Sequence, residues 1–199
     1  MALDDDAETM ARFVGTRDRR LFTMLFEKYE RPMFAHVLRF VRNRATAEEL
    51  TQEVFVRVYT TKRYRPEHPF RAWIYRVATN VCLNELRRGR HGAIHESLDA
   101  TPDEASPGRE LPSTEAGPDD ALAGERLAAR VSDRLDRLPP KQRAAFLMVR
   151  HDGLTHEEIA TALDTSVSAV KSLVHRALDA LRREVEAATV EPAREEVAS

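Results

Sequence analysis

Apolar residues recur at helical spacing along most of the 199-residue chain. From about Arg17, Leu21, Phe22, Met24, Leu25 and Tyr29 follow that period, and a second helix is predicted from about Pro32 to Arg42 with Met33, Val37, Phe40 and Val41 inward. Asn43 and Arg44 break the pattern, and Thr46 with Glu49 reads as a capping box opening a helix through about Tyr59. Its inner face is Leu50, Val54 and Val58; Glu49, Gln52, Glu53 and Arg57 lie on the other side. Two prolines in Thr60 to Pro69 argue against a long helix there. The period resumes from Phe70 to about Arg90, with Trp73, Ile74, Val77, Ala78, Val81 and Cys82 inward. Arg76, Asn80, Asn84 and Arg87 form a polar stripe on that helix.

After a gap, a helix is predicted from about Ala121, with Leu122, Leu127, Val131, Leu135 and Leu138 apolar. Pro139 and Pro140 end it, and Pro140 can open the next helix at its first position. Asp152-Gly153 then turns the chain into a helix pair, Gly153 to Arg183. Thr155 and Glu158 form a capping box, Asp164-Thr165 breaks the first helix, and Ser166 can cap the second. In the second helix Val170, Val174, Ala177 and Leu181 share a face, while Ser168, Ser172, His175, Arg176 and Asp179 point away and Lys171 lies on the flank. That pattern suits a helix laid in the DNA major groove, and equally an ordinary amphipathic pair.

Glycine is scarce and long alternating β-branched runs are absent, so the predicted fold is all-α: two small helical domains joined by a flexible acidic linker, the second containing a helix-turn-helix. The boundaries read as 10–92 and 120–186. Residues 93–119 form the linker, residues 1–10 are frayed, and 187–199 are a disordered tail. Four prolines and many acids in residues 91–120 cannot bury a core. Net charge is −2, but it is unevenly spread: the start (Asp4, Asp5, Asp6, Glu8) and the middle are acidic, while residues 62–90 are basic. Local charge is what a phosphate backbone senses. The one cysteine, Cys82, excludes an internal disulfide and fits a reducing cytosol. No apolar run suggests membrane insertion and no signal peptide is evident.

The basic segment carries chemistry suited to an unpaired strand. Cations hold the backbone, aromatic faces stack on bases, and carboxamides pair with base edges. Lys62, Arg63 and Arg65 surround Tyr64, and Asn80 and Asn84 supply amides. Tyr64 is the better stacking candidate, because Trp73 and Phe70 also read as core. Catalytic chemistry is missing: there is no phosphate-binding glycine loop and no nucleophile with an evident base. His91 and His95 are four apart without a nearby cysteine, so neither a metal nor a cofactor is expected.

Two segments resemble a known family. AEELTQEVFVRVY (Ala47–Tyr59) followed by FRAWIYRVATNVCLNELRR (Phe70–Arg88) is similar to region 2 of the extracytoplasmic-function sigma factors. LPPKQRAAFLMVRHDGLTHEEIATALDTSVSAVKSLVHRALDALRR (Leu138–Arg183) is similar to their region 4. The resemblance implies a cytoplasmic, non-enzymatic subunit that binds core RNA polymerase and directs it to promoters. Glu49, Gln52, Glu53 and Arg57 would dock on polymerase. Lys62, Arg63, Tyr64, Arg65, Arg76, Asn80 and Asn84 would hold the single-stranded minus-ten element. Ser168, Lys171, Ser172, His175 and Arg176 would read the duplex minus-thirty-five element. The family is commonly restrained by an anti-sigma protein. Leu173 stands where arginine is usual, Asp164 replaces the usual turn glycine, and Asn84 replaces a common aspartate. The alternative is a stand-alone helix-turn-helix regulator with an N-terminal sensing domain.

Overall fold

The computed structural model describes residues 4–95 and 118–195. Among these, every regular element is an α-helix. The first half holds α1 (Asp5–Thr16), α2 (Arg19–Val41), α3 (Arg44–Thr60) and α4 (Phe70–His95). The second holds α5 (Pro118–Asp136), α6 (Pro140–Arg150), α7 (His156–Leu163) and α8 (Val167–Glu195). Helix α2 packs on α1, α3 and α4, and α8 packs on α5, α6 and α7. An aromatic seam joins α1, α2 and α3: Phe13 lies 5.5 Å from both Phe22 and Tyr59, Phe22 meets Tyr59 edge-on at 5.0 Å and Phe26 meets Phe55 at 4.7 Å. Phe13, Phe40 and Phe70 are fully buried, each worth about 1.5–3 kcal/mol of hydrophobic stabilisation.

Four expectations are corrected. The chain start is not frayed from residue 5 onward: α1 buries Ala7, Met10 and Phe13. Its N-cap Asp4 accepts a hydrogen bond from the Asp6 amide, which closes the first turn. The expected break near Pro32 is absent, because α2 runs through that proline. Tyr29, Met33, His36 and Val37 are buried on either side of it, and that packing outweighs a proline penalty of about 3 kcal/mol. Asn43, not Thr46, caps α3; its side chain accepts from the Thr46 amide at 2.9 Å. Finally, α8 continues to Glu195, where a tail is predicted from 187. Ala187 and Ala188 extend a formed helix at little cost, while Pro192, in the last turn, works against it.

Helices α4 and α5 also take the predicted linker's ends, and residues 96–117 lie outside the described residues. His91 and His95 sit on the last turns of α4.

Local signals in the second half hold. Thr155 and Glu158 exchange both capping-box hydrogen bonds, at 3.2 and 2.8 Å. Ser166 Oγ accepts from the Ala169 amide. Asp164 adopts the left-handed conformation at φ 52°, with its amide bonded back to Ala160 and Thr161. Aspartate tolerates that region better than most residues, so the turn forms without glycine.

The two halves touch. Helix α7 packs along α4, and α6 meets α2. Asp152, in the turn after α6, reaches into the first half with its side chain only 3% exposed. The fully buried His36 donates Nδ1–H to one carboxylate oxygen at 2.7 Å, and Arg39 donates to the other at 3.3 Å. Arg71 of α4 donates to the Asp152 and Gly153 carbonyl oxygens. Nearby, Arg143 of α6 lies over the Phe40 ring at 5.3 Å, donates to the Arg39 carbonyl, and pairs with Asp136 at 2.6 Å. Burial lowers the Arg143 pKa below the usual arginine range, with Asp136 opposing.

Candidate nucleic-acid interface

Three surfaces were expected to carry function. On α3, Leu50, Val54 and Val58 are buried. Glu49, Gln52 and Arg57 are exposed and Glu53 is half-buried. Arg57 grips Glu53 one turn back with two N–H groups on a single oxygen, at 3.0 and 2.5 Å. The face also exposes two large apolar residues, Val56 and Tyr59. Polar groups beside uncovered apolar ones are the make-up of a protein-docking patch.

The second surface is the segment 61–69 with α4. It has no regular helix, and Lys62, Arg63 and Arg65 are exposed. Asn80 stands exposed on α4. Asn84 is half-buried and accepts from Arg87 at 3.4 Å. Arg76 faces the second half and lies 3.5 Å from Asp164 at the helix-turn-helix turn. Cys82 is core: it is fully buried, and burial pushes its thiol up to about 12.

Tyr64 is placed differently from a free stacking platform. Its ring packs edge-on against Trp73 at 5.2 Å and against Phe70 at 6.2 Å. Its hydroxyl is buried without a hydrogen-bond partner among the described residues. Burial, then Asp4 and Asp6, raise its pKa. Tyr64 therefore braces the loop on the domain, whatever its exposed edge does with a base. Tyr64→Phe is expected to stabilise the protein by removing an orphaned hydroxyl worth about 1–3 kcal/mol, which is roughly 2–4 °C in melting temperature per kcal/mol. A lower melting temperature would mean that the hydroxyl has a partner, such as a bound water.

The third surface is α8. Val170, Ala177 and Leu181 are buried against the domain. Ser168, Lys171, Ser172, His175 and Arg176 are all exposed. Ser172 donates to the Ser168 carbonyl, and Arg176 Nε to the Ser172 carbonyl. His175 lies 2.9 Å from Asp179, one turn on. The helix thus presents a cationic and hydroxyl face on a rigid scaffold. Leu173 is half-buried and packs on the core, so the position where the family usually has arginine serves packing here.

Sequence reasoning did not single out Asp4, Arg17, His36, Arg71 or Arg143, and it read Asp152 only as a turn residue. Besides local partners such as Asp6 for Asp4 and Asp136 for Arg143, they have partners 42 to 116 residues away. No local pattern marks such long-range pairings.

Two helical units, the second a helix-turn-helix with an exposed cationic and hydroxyl face, give the chain an architecture common among all-α DNA-binding proteins. Residues 25–92 match the Sigma-70 region 2 family and residues 128–181 match Sigma-70 region 4. The chain is 30% identical over 164 residues to RNA polymerase sigma factor CarQ of Myxococcus xanthus, covering 81% of this chain and 87% of that protein. It is 27% identical over 193 residues to RNA polymerase sigma-H factor of Pseudomonas aeruginosa, covering 91% and 94%. Among solved structures it resembles the sigma factor RpoE of Bartonella quintana, determined in complex with the anti-sigma factor NepR. The TM-score is 0.64, at 16% identity, covering 83% of this chain and 96% of that one. The chain belongs to the extracytoplasmic-function RNA polymerase sigma factors. It is a transcription initiation factor that directs RNA polymerase to specific promoters.

Proposed function

We propose a division of labour among the three surfaces. Glu49, Gln52, Glu53 and Arg57 on α3 dock on core polymerase. The segment 61–69 and the α4 residues Arg76, Asn80 and Asn84 hold the melted minus-ten strand. Ser168, Lys171, Ser172, His175 and Arg176 on α8 read the minus-thirty-five duplex. The first working unit, expected over 10–92, takes in all of α1 from Asp5, the second, expected over 120–186, runs on along α8, and the segment between them joins them. The observation that carries this reading is the split on α8: five polar residues exposed on one side, with Val170, Ala177 and Leu181 buried on the other. That is the geometry a major-groove reader needs.

The two promoter elements are named for positions about 25 base pairs apart, roughly 85 Å of duplex at 3.4 Å per step. A folded chain of this length has a radius of gyration of only about 16 Å. With α7 packed on α4, both elements cannot be held at once, so the halves separate on the promoter. Arg76 then exchanges Asp164 for a phosphate.

Work on polymerase and chromosomal DNA places the protein in the cytoplasm. No helix among the described residues is long and apolar enough to cross a membrane. An anti-sigma partner is part of the proposal, since the structurally similar RpoE assembles with NepR.

Asn80 supplies the sharpest test. Asn80→Ala is expected to impair open-complex formation on duplex promoter and to weaken binding to a template whose minus-ten region is already melted. Losing a bidentate pairing of the carboxamide with one base edge costs about 1–3 kcal/mol. Core binding and melting temperature should stay as in the wild type, because the side chain is exposed. Normal affinity for the melted template, with a lower melting temperature, would make Asn80 a brace and not a reader.

A further inference from the structure

Helix α1 reaches both ends of the strand-holding loop. At the loop's start, Arg17 closes α1 in the left-handed conformation at φ 57°. Its guanidinium donates Nη1–H to the Tyr59 carbonyl at 2.8 Å and Nη2–H to the Thr61 carbonyl at 2.7 Å. These carbonyls lie at the C-terminal end of α3 and its cap, where backbone acceptors lack helical partners. At the loop's other end, Asp4 caps two helices with one carboxylate. Oδ1 accepts from Asp6, at the start of α1, at 3.4 Å, and Oδ2 accepts from the amide of Phe70, the first residue of α4, at 3.1 Å. Asp6 fastens the same helix to α2 through Lys28 at 2.6 Å and the Tyr29 hydroxyl at 2.7 Å.

We propose that α1 is a splint for the minus-ten loop: Arg17 and Asp4, one from each end of a 12-residue helix, fix the two ends of segment 61–69 so that Lys62, Arg63 and Arg65 meet the captured strand in one arrangement. The inference rests on the reading that this segment holds the melted strand. Arg17 and Asp4 are positioning residues. A helix of 12 residues spans about 18 Å and does not stretch, so it sets the separation of the loop ends. A loop with fixed ends has less freedom to lose when it binds, and its cations are already arrayed along one path.

The test uses holoenzyme assembled on core polymerase and a promoter template melted over the minus-ten region. Arg17→Ala should lower affinity about tenfold and flatten the salt dependence. Each phosphate that the loop ceases to neutralise reduces the slope of log K against log salt by about 0.7 on a single strand. Arg17→Lys should not restore either quantity, because an ammonium on a flexible stem does not hold two carbonyls in the fixed geometry that a planar fork imposes. Asp4→Ala should act in the same direction from the other end of the loop. Trp73 is the chain's one tryptophan and packs on Tyr64, so its emission reports whether the loop has moved in each variant. A merely structural role for Arg17 would lower the melting temperature and leave the salt slope alone. Unchanged affinity and slope in both single variants, while Lys62, Arg63 and Arg65 replaced together by alanine lose binding, would overturn the splint and leave the loop's role standing. Full binding by that triple variant would overturn the loop's role and the splint with it.

Discussion

Asp152→Ala is expected to part the two halves of the molecule without unfolding either. Asp152 is buried at the junction, where its carboxylate holds the fully buried His36 and the partly exposed Arg39. Removing one partner of a buried hydrogen-bonded charge costs about 3–5 kcal/mol. Arg39 can turn to water, so the lower end applies here, about 3 kcal/mol, or roughly a hundredfold shift against the closed arrangement. The buried apolar cluster runs across the junction, but the helices of each half also pack on one another, α2 on α1, α3 and α4 in one and α8 on α5, α6 and α7 in the other. Helicity should therefore persist while the radius of gyration in solution X-ray scattering rises above the closed value. A variant that keeps the closed radius, or unfolds as a unit at lower temperature, would show that the junction is part of one cooperative core.

Replacing Gln52, Glu53 and Arg57 together with alanine is expected to weaken binding to core polymerase by about thirtyfold or more, since docking hot spots cost about 2 kcal/mol or more on truncation. The fold should hardly register the change. Arg57 and Glu53 form an i,i+4 surface pair, worth about 0.3–0.5 kcal/mol, and exposed substitutions usually shift stability by less than about half a kcal/mol each. Core affinity equal to the wild type, measured by fluorescence anisotropy at matched salt, would remove α3 as the docking face.

What the sequence makes legible is what neighbouring residues decide among themselves. The Thr155–Glu158 box, the Ser166 cap and the helix break at Asp164 are all settled within five residues, and all form as the sequence predicts. The buried stripe of α8 follows from a period of 3.6 alone. Tertiary decisions are not legible in this way. Helix α1 opens with acids that look like a solvated tail, and their meaning depends on Phe70 and Lys28, which sequence distance conceals. Pro32 looks like a boundary because its local penalty is visible and the packing that offsets it is not. Tyr64 looks like a stacking platform from its charged neighbours, although Trp73 and Phe70 decide where its ring lies. Asp152 is a turn residue on local grounds and a buried junction through His36. The exposed faces of α3 and α8 are recoverable because exposure follows from the same periodicity that defines burial.

The central claim is tested most directly by reconstituted transcription. Purified protein is added to core RNA polymerase with fragmented chromosomal DNA from the source cell, and the 5′ ends of the transcripts are mapped. The account predicts initiation at a defined set of sites that share two motifs upstream, one near minus ten and one near minus thirty-five, with none of these starts from core polymerase alone. Duplex DNA binding by the isolated protein, with no association with core polymerase and no new starts, would contradict it and return the chain to the class of stand-alone helix-turn-helix regulators.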